Sequence, residues 1–263
     1  MYDLAALDRE LADTIFAGII HFSPVTDSTN SDALTAARAG APHGSVWLAD
    51  EQLAGRGRGG HAWHSTAGEG LYVSVLLRPD FPAERLLLMP LAAGLAAADA
   101  IRAVTGLTID LRWPNDLLIG PFKTGGILVE SHISSKEPLP AMVVVGVGIN
   151  VHQRSFPADL ATPATSLDLA VGRAISRQPL LVALLRSLEH ESRALAAEDA
   201  PSAVPARVEA ASTWVRGRGV EVHGPQACTG VTAGLDEHGF LRVQTPERLV
   251  TVRTGGIRSS EID

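Results

Sequence analysis

Lysine is nearly missing from this chain: of 22 basic residues, all but Lys123 and Lys136 are arginine. A lysine kept in such a background marks a position where a compact, flexible point charge serves better than a planar fork. Lys136 falls in a polar, proline-containing loop (SSKEPLP) where solvated charge is the default, whereas Lys123 stands beside Gly125-Gly126. Cysteine is rarer still. The single Cys228 excludes an internal disulfide framework and fits a reducing compartment. A net charge of −7 provides no overall basic field, so any anionic ligand must be met by a local cluster. No uninterrupted apolar run approaches ~18–20 residues, and MYDLAALDRELADTIF carries acid where a signal peptide would carry base. These absences lead to the expectation of a cytoplasmic protein that engages neither membrane nor nucleic acid.

What is present suits one large globular domain or a large one with a small companion: 263 residues, 46% hydrophobic and 19% charged. An amphipathic helix is expected over 3–16 and a strand near Ile19–Phe22. Thr26-Asp27-Ser28-Thr29-Asn30 then precedes a helix over Asp32–Ala39 closed by Gly40. Asp27 or Ser28 serves as an ordinary N-cap, but five polar residues in a row exceed what capping needs and can present donors and acceptors to a neutral ligand. Strands are expected at 45–49, 71–77, 108–112, 127–129 and 142–145, with the last continued by Gly146-Val147-Gly148-Ile149-Asn150. The alanine- and leucine-rich stretch of about 84–104 reads as a central buried helix, and 176–197 as another. Between them, 152–166 (HQRSFPADLATPATS) has little periodicity and reads as a long loop. Around 198–212 the composition turns to Ala, Pro and Ser, which suggests a joint between a domain at 1–207 and a small one at 212–263. Short β-like runs between glycine turns after that joint suggest a small antiparallel barrel.

The chemistry concentrates in Gly55-Arg56-Gly57-Arg58-Gly59-Gly60, closed by Trp63. The glycines let backbone N–H groups face a ligand, and the two arginines add permanent charge in a fork suited to carboxylate or phosphate. The run satisfies G-x-G-x-x-G, yet the helix a dinucleotide-binding turn requires is missing, because HAWHSTAGEG is short and glycine-rich and leads into the next strand. A P-loop fails for want of a following Gly-Lys-Ser/Thr. A solvated surface loop remains the bland reading of the run taken alone. His61 and His64 have His-x-x-His spacing without a third ligand nearby in sequence, so no protein-held metal is expected.

Four stretches in order, Asp27-Ser28-Thr29-Asn30, Gln52-Leu53-Ala54-Gly55-Arg56-Gly57-Arg58, Trp113-Pro114-Asn115-Asp116 and Lys123-Thr124-Gly125-Gly126-Ile127-Leu128, resemble those of biotin protein ligases. The resemblance runs over most of 20–170. It implies an α+β fold: a mixed, largely antiparallel sheet with helices, of the class II aminoacyl-tRNA synthetase and biotin synthetase kind, plus a small C-terminal SH3-like β-barrel. The implied activity is formation of biotinyl-5′-AMP from biotin and ATP with Mg²⁺, then transfer to a lysine of the biotin carboxyl carrier domain of acetyl-CoA carboxylase or another biotin-dependent carboxylase. It implies no tightly bound prosthetic group. Arg58, Lys123 and Asp116 are the implied catalytic residues, with Asp116 also a candidate to take a proton from the incoming amine. Biotin is implied to meet Ser28, Thr29, Asn30, Gln52, Gly55, Arg56, Gly57, Arg58, Lys123 and Gly126. The nucleotide is implied to meet Arg56, Arg58, Trp63, Asn115, Asn150 and Arg258, with 152–166 folding over the adenine. For Trp63 and Asp116 the plainer readings are core packing and turn stabilisation.

The chain departs from the family's pattern at Gly59 and His61, where further basic residues are common, and at Arg112, where lysine is usual. Some members carry a winged helix and repress transcription; 26 residues before Asp27 are too few for one, so no DNA contact is expected. A lipoate protein ligase of the same architecture and a non-catalytic biotin-binding protein are the rival functions. The sequence leaves monomer and homodimer open.

Overall fold

The computed structural model of the chain describes residues 2–132 and 142–260; Lys136 and its loop lie outside them. In chain order the first unit contains β1 (Ile20–Thr26), β2 (Val46–Gln52), β3 (Gly70–Leu77), β4 (Asp110–Arg112), β5 (Asp116–Ile119), β6 (Phe122–His132) and β7 (Met142–Asn150). They form one seven-stranded sheet in the order β1-β2-β3-β7-β6-β5-β4. Only β1 and β2 pair in parallel, joined by the crossover helix α2 (Thr29–Arg38); the other pairings are antiparallel. The sheet is therefore mixed and largely antiparallel, as expected.

All eight residues of β3 are buried, which explains why its sequence shows a continuous apolar run rather than alternation. Strand β7 sorts its residues by period two. Val143, Val145, Val147 and Ile149 join the main core, and Val144 joins a smaller cluster beneath α2 with Ala33, Ala37 and Trp47. Gly146, Gly148 and Asn150 follow Val144 on the same face, where a cavity opens.

The main core lies between the sheet and a pair of helices, α3 (Met89–Thr105) and α5 (Arg177–Ala194). Ala92, Ala93, Ala96, Ala97 and Ala100 are all fully buried on α3, small enough for α5 to approach with Leu181, Leu184 and Leu185. Each such leucine contributes about 1.5–3 kcal/mol by leaving water. Residues 83–105 have the length and mean hydropathy, 1.6, of a membrane span, but 61% of that window is buried inside the protein as its central helix.

Four expectations need correction. Helix α2 begins at Thr29 rather than Asp32, with Ser28 extended at the N-cap and making no side-chain capping bond, so Thr29 and Asn30 sit on the first turn. The strand expected at 127–129 is longer: β6 runs unbroken from Phe122 and carries Lys123 as well, since its glycines must fit between strands. A Cβ on Gly125 would come within 2.8 Å of the Gly148 carbonyl oxygen. Residues Ala200–Ala210, read as part of a joint, form α6, because Pro201 occupies the first turn where no N–H partner is needed and alanine supplies the propensity. Between α3 and α5 lies the short α4 (Leu167–Val171), and α1 (Leu4–Glu10) opens the chain, shorter than the periodicity of 3–16 suggested.

The last five strands, β8 (Arg216–His223), β9 (Cys228–Leu235), β10 (Leu241–Gln244), β11 (Leu249–Val252) and β12 (Gly256–Ser259), form an antiparallel sheet in the order β11-β10-β9-β8-β12. It docks on the first unit through the Trp113 indole, which donates to the Gly239 carbonyl at 3.0 Å, and through Ser212 on the Leu111 carbonyl at 2.5 Å.

Candidate active site

A cavity of about 990 Å³ opens on the face of β6 and β7 that carries glycine. Among the described residues lining it are five cations, Arg56, Arg58, Arg112, Lys123 and Arg258, against two carboxylates, Glu69 and Asp116. In a protein of net charge −7 this local reversal of sign marks an anion site.

One end of the cavity is polar and uncharged. Gln52 ends β2 with its side-chain oxygen accepting from the Thr29 backbone N–H at 2.9 Å and lying 3.1 Å from the Thr29 hydroxyl, while its amide nitrogen donates to Ser65 at 2.7 Å. Ser74, the one serine of β3, is fully buried; its oxygen lies 2.6 Å from Asn30 Oδ1 and 2.7 Å from the Thr29 hydroxyl. Asn30 then donates to Glu130 at 2.8 Å, and Glu130 accepts from Arg56 at 2.9 Å. A chain of hydrogen bonds thus runs from the cavity floor to the glycine loop. Gly146 is required beneath it, since a Cβ there would come within 2.1 Å of Asn30 Oδ1. Asn30 lines the cavity with both polar atoms already occupied, whereas the Ser28 hydroxyl, not used in capping, is free to face a ligand.

The other end is charged. Asp116 is held by two cations: Lys123 Nζ reaches Oδ1 at 2.5 Å, and Arg112 Nη2 reaches Oδ2 at 2.6 Å. With one cation on each oxygen, Asp116 anchors the ammonium and the guanidinium. Arg58 donates to the Gly255 carbonyl and, at 3.0 Å, to the Thr254 hydroxyl, so the β11–β12 turn fixes the glycine loop's second arginine. Burial lowers the Arg58 pKa below the usual guanidinium value and the Asp116 charge opposes that shift; the group stays cationic at neutral pH.

Trp63 lies between the two ends. Its indole rests on Gly148, where a Cβ would come within 2.6 Å of the ring, and Lys123 Nζ is 5.5 Å from the ring centroid. Its Nε1–H is buried without a partner, a cost of about 1–3 kcal/mol unless a ligand accepts from it. Asn115, Asn150, Gly57, Gly126 and Arg258 all line the cavity. The Asn115 amide nitrogen donates to the Ile127 carbonyl at 2.7 Å and that of Asn150 to the Thr165 carbonyl at 3.1 Å, which fixes both side chains in the wall. Gly55 does not line the cavity. It is packed beneath the loop, with no room for a Cβ, which would meet the Trp63 carbonyl oxygen at 2.4 Å. Segment 152–166 covers one side, contributing Gln153, Phe156 and Leu160.

Comparison with known proteins bears on what this cavity serves. A family model described as Biotin/lipoate A/B protein ligase family matches residues 22–150. The biotin--[acetyl-CoA-carboxylase] ligase of Mycobacterium tuberculosis is 37% identical over 239 residues, covering 88% of this chain and 85% of that protein. The chain belongs to the biotin protein ligase family. The bifunctional ligase/repressor BirA of Bacillus spizizenii is 40% identical over 174 residues, 65% of this chain and 53% of BirA; the chain thus spans about half the length of that relative. In three dimensions it is similar to the biotin protein ligase from Aquifex aeolicus in complex with biotin and ATP, with a TM-score of 0.78 and 29% identity over 92% of this chain and 100% of that one.

Ser74, Glu130, Gln153 and Thr162 join the hydrogen-bond network around the cavity, and no motif singled them out individually. Ser74 had a signal, the one serine inside an otherwise apolar and aromatic strand. Glu130 and Thr162 had none, because their partners Arg56 and Arg112 lie 74 and 50 residues away in sequence.

Proposed function

We propose that the chain joins biotin to ATP as biotinyl-5′-AMP and passes the biotinyl group to one lysine of a biotin carboxyl carrier domain, as a biotin protein ligase. One observation carries the reading: a neutral polar end and a cationic end face each other in a single cavity. Biotin has the complementary halves, an uncharged ureido ring and a carboxylate. The ring is placed against Ser28, Thr29 and Gln52, where loss of one pairing would cost about 1–3 kcal/mol.

The carboxylate must then approach the α-phosphate of a polyanion. Two unit charges ~4 Å apart repel by roughly 4 kcal/mol at an effective dielectric of ~20, so positive charge must be in place before the bond can form. Arg58 and Lys123 supply it, with Arg56 available once it leaves Glu130. The biotin oxygen attacks the α-phosphorus, the bond to the β-phosphate breaks, and pyrophosphate leaves. In the second half the lysine amine attacks the acyl carbon, AMP departs and the amine loses a proton. Trp63 with its free N–H, and Phe156 and Leu160 of the cover segment, exclude water from the mixed anhydride.

Mg²⁺ would add neutralising charge at the reacting phosphates. The ion would come with the nucleotide phosphates. On the same reading residues 1–207 hold most of the reacting groups on a class II synthetase-like scaffold, 212–263 form an SH3-like barrel that completes the site through Thr254, Gly255 and Arg258, and the enzyme works in the cytoplasm. A lipoate ligase is disfavoured by the Gln52–Thr29 cluster, which a purely apolar ring would leave idle.

Incubation with ATP, Mg²⁺, biotin and a carrier domain tests the proposal by intact mass. The carrier should gain one biotinyl group. Gain with lipoate instead, or no gain, would reject it.

A further inference from the structure

We infer that Arg112 is a positioning residue that ties segment 152–166 to the Asp116–Lys123 pair, so that covering the cavity and assembling its cationic end are one event. The inference rests on the adenylate-forming reading above. Four contacts pin the far half of the segment. The Lys123 backbone N–H donates to the Pro163 carbonyl at 2.8 Å, Thr165 N–H donates back to the Lys123 carbonyl at 2.9 Å, and the Asn150 amide holds the Thr165 carbonyl. The fourth is the one made to a side chain of the segment: Arg112 Nη2 donates to the Thr162 hydroxyl at 2.8 Å.

The same guanidinium grips Asp116 Oδ2 through Nε at 3.2 Å and Nη2 at 2.6 Å. Its face lies over Trp214, 5.2 Å from the ring centroid, at the entry to the C-terminal sheet. The Arg112 side chain is only 9% exposed, so water cannot readily replace a lost partner. If the segment lifts, Nη2 loses Thr162 inside a nearly closed site; if Arg112 shifts, Asp116 loses one of its two cations and Lys123 is left to carry the carboxylate alone. Segment and charge cluster therefore favour each other.

A planar fork is needed for this. It directs donors to Asp116 and Thr162 from fixed positions while its charge stays within 5.2 Å of the Trp214 ring centroid, whereas a lysine ammonium is a single compact charge on a flexible stem that cannot make all three contacts in the same way. The function gained is retention: a segment held over the cavity keeps water from the mixed anhydride until the carrier lysine arrives.

The experiment compares wild type, Arg112→Lys, Thr162→Val and the double variant in two measurements. The first is biotin-dependent pyrophosphate release without carrier, where the slow phase after the first turnover reports adenylate escaping or hydrolysing. The second is backbone hydrogen exchange over 156–165 in the ligand-free protein. Each single variant should raise the slow phase relative to the first turnover by between about twofold and tenfold, the range one hydrogen bond supports. Each should speed exchange in the segment, and the double variant should be no worse than Arg112→Lys alone. Additive effects, a silent Thr162→Val, or unchanged exchange in the segment would overturn the inference. Absence of any biotin-dependent pyrophosphate release in wild type would instead overturn the adenylate reading, and the exchange measurement would still decide whether Arg112 and the segment are coupled.

Discussion

Single residues decide the neutral end of the site. Ser74→Ala removes the hydroxyl that Asn30 Oδ1 and Thr29 share, leaving a buried acceptor unmet at a cost of about 1–3 kcal/mol. Thermal melting should show that loss, and calorimetry should show weaker biotin binding, because Thr29 loses one of the two partners that orient its hydroxyl. His43 offers a test away from the site. Burial lowers its pKa below the usual imidazole value, with Asp80 and Glu189 opposing, and its Nδ1 accepts from the Arg78 backbone N–H at 2.9 Å. The folded state therefore holds the neutral ring. As pH falls below ~6.5 the unfolded chain takes up a proton that the folded one resists, so stability present at neutral pH is lost as pH drops through the folded-state pKa. Melting temperatures from pH 7.5 to 5.5 should fall less steeply in His43→Gln than in wild type. At this scale the sequence was legible where chemistry left a mark on one stretch. The paired arginines and the spared Lys123 could be read, while the Glu130–Arg56 and Arg112–Thr162 pairs depend on register between distant segments.

Elements turn those residues into a surface. Strand β7 buries odd-numbered valines on one face and offers Gly146, Gly148 and Asn150 on the other, so the cavity exists because side chains stop where the ligand begins. Gly148→Ala would place a methyl 2.6 Å from the Trp63 ring and tilt the indole from its seat. The fold should survive, since the ring faces a cavity, but misplacement by ~1 Å can cost about 10²-fold in rate. Stopped-flow pyrophosphate release against a circular dichroism melt separates the two effects. Short apolar runs bounded by turns made β2, β3 and β7 readable, and the alanine-rich run made α3 readable. The start of α2 at Thr29 was not, because Ser28 caps without its side chain. The helix at Ala200–Ala210 was not either, because two prolines mask a segment whose first-turn placement makes one of them harmless.

At the scale of the whole molecule, the C-terminal sheet is part of the site. Gly255 and Thr254, in the turn between β11 and β12, hold Arg58, and Arg258 lines the same cavity. Gly255 has φ +131°, and a Cβ there would come within 2.2 Å of the His223 carbonyl oxygen. Gly255→Ala should therefore shift the turn and release Arg58, lowering the rate of adenylate formation while leaving biotin affinity, set at the opposite end, nearly unchanged; parallel kinetics and calorimetry check this. The number of strands was nearly legible from the alternating runs after residue 212, but not their contact with an arginine almost 200 residues earlier. The central claim is that Lys123 and Arg58 neutralise the approach of two anions. The most direct measurement is biotin-dependent pyrophosphate release by Lys123→Ala beside its biotin affinity. Release should fall by about 10²–10³-fold with affinity changed far less, whereas release at the wild-type rate would contradict the account.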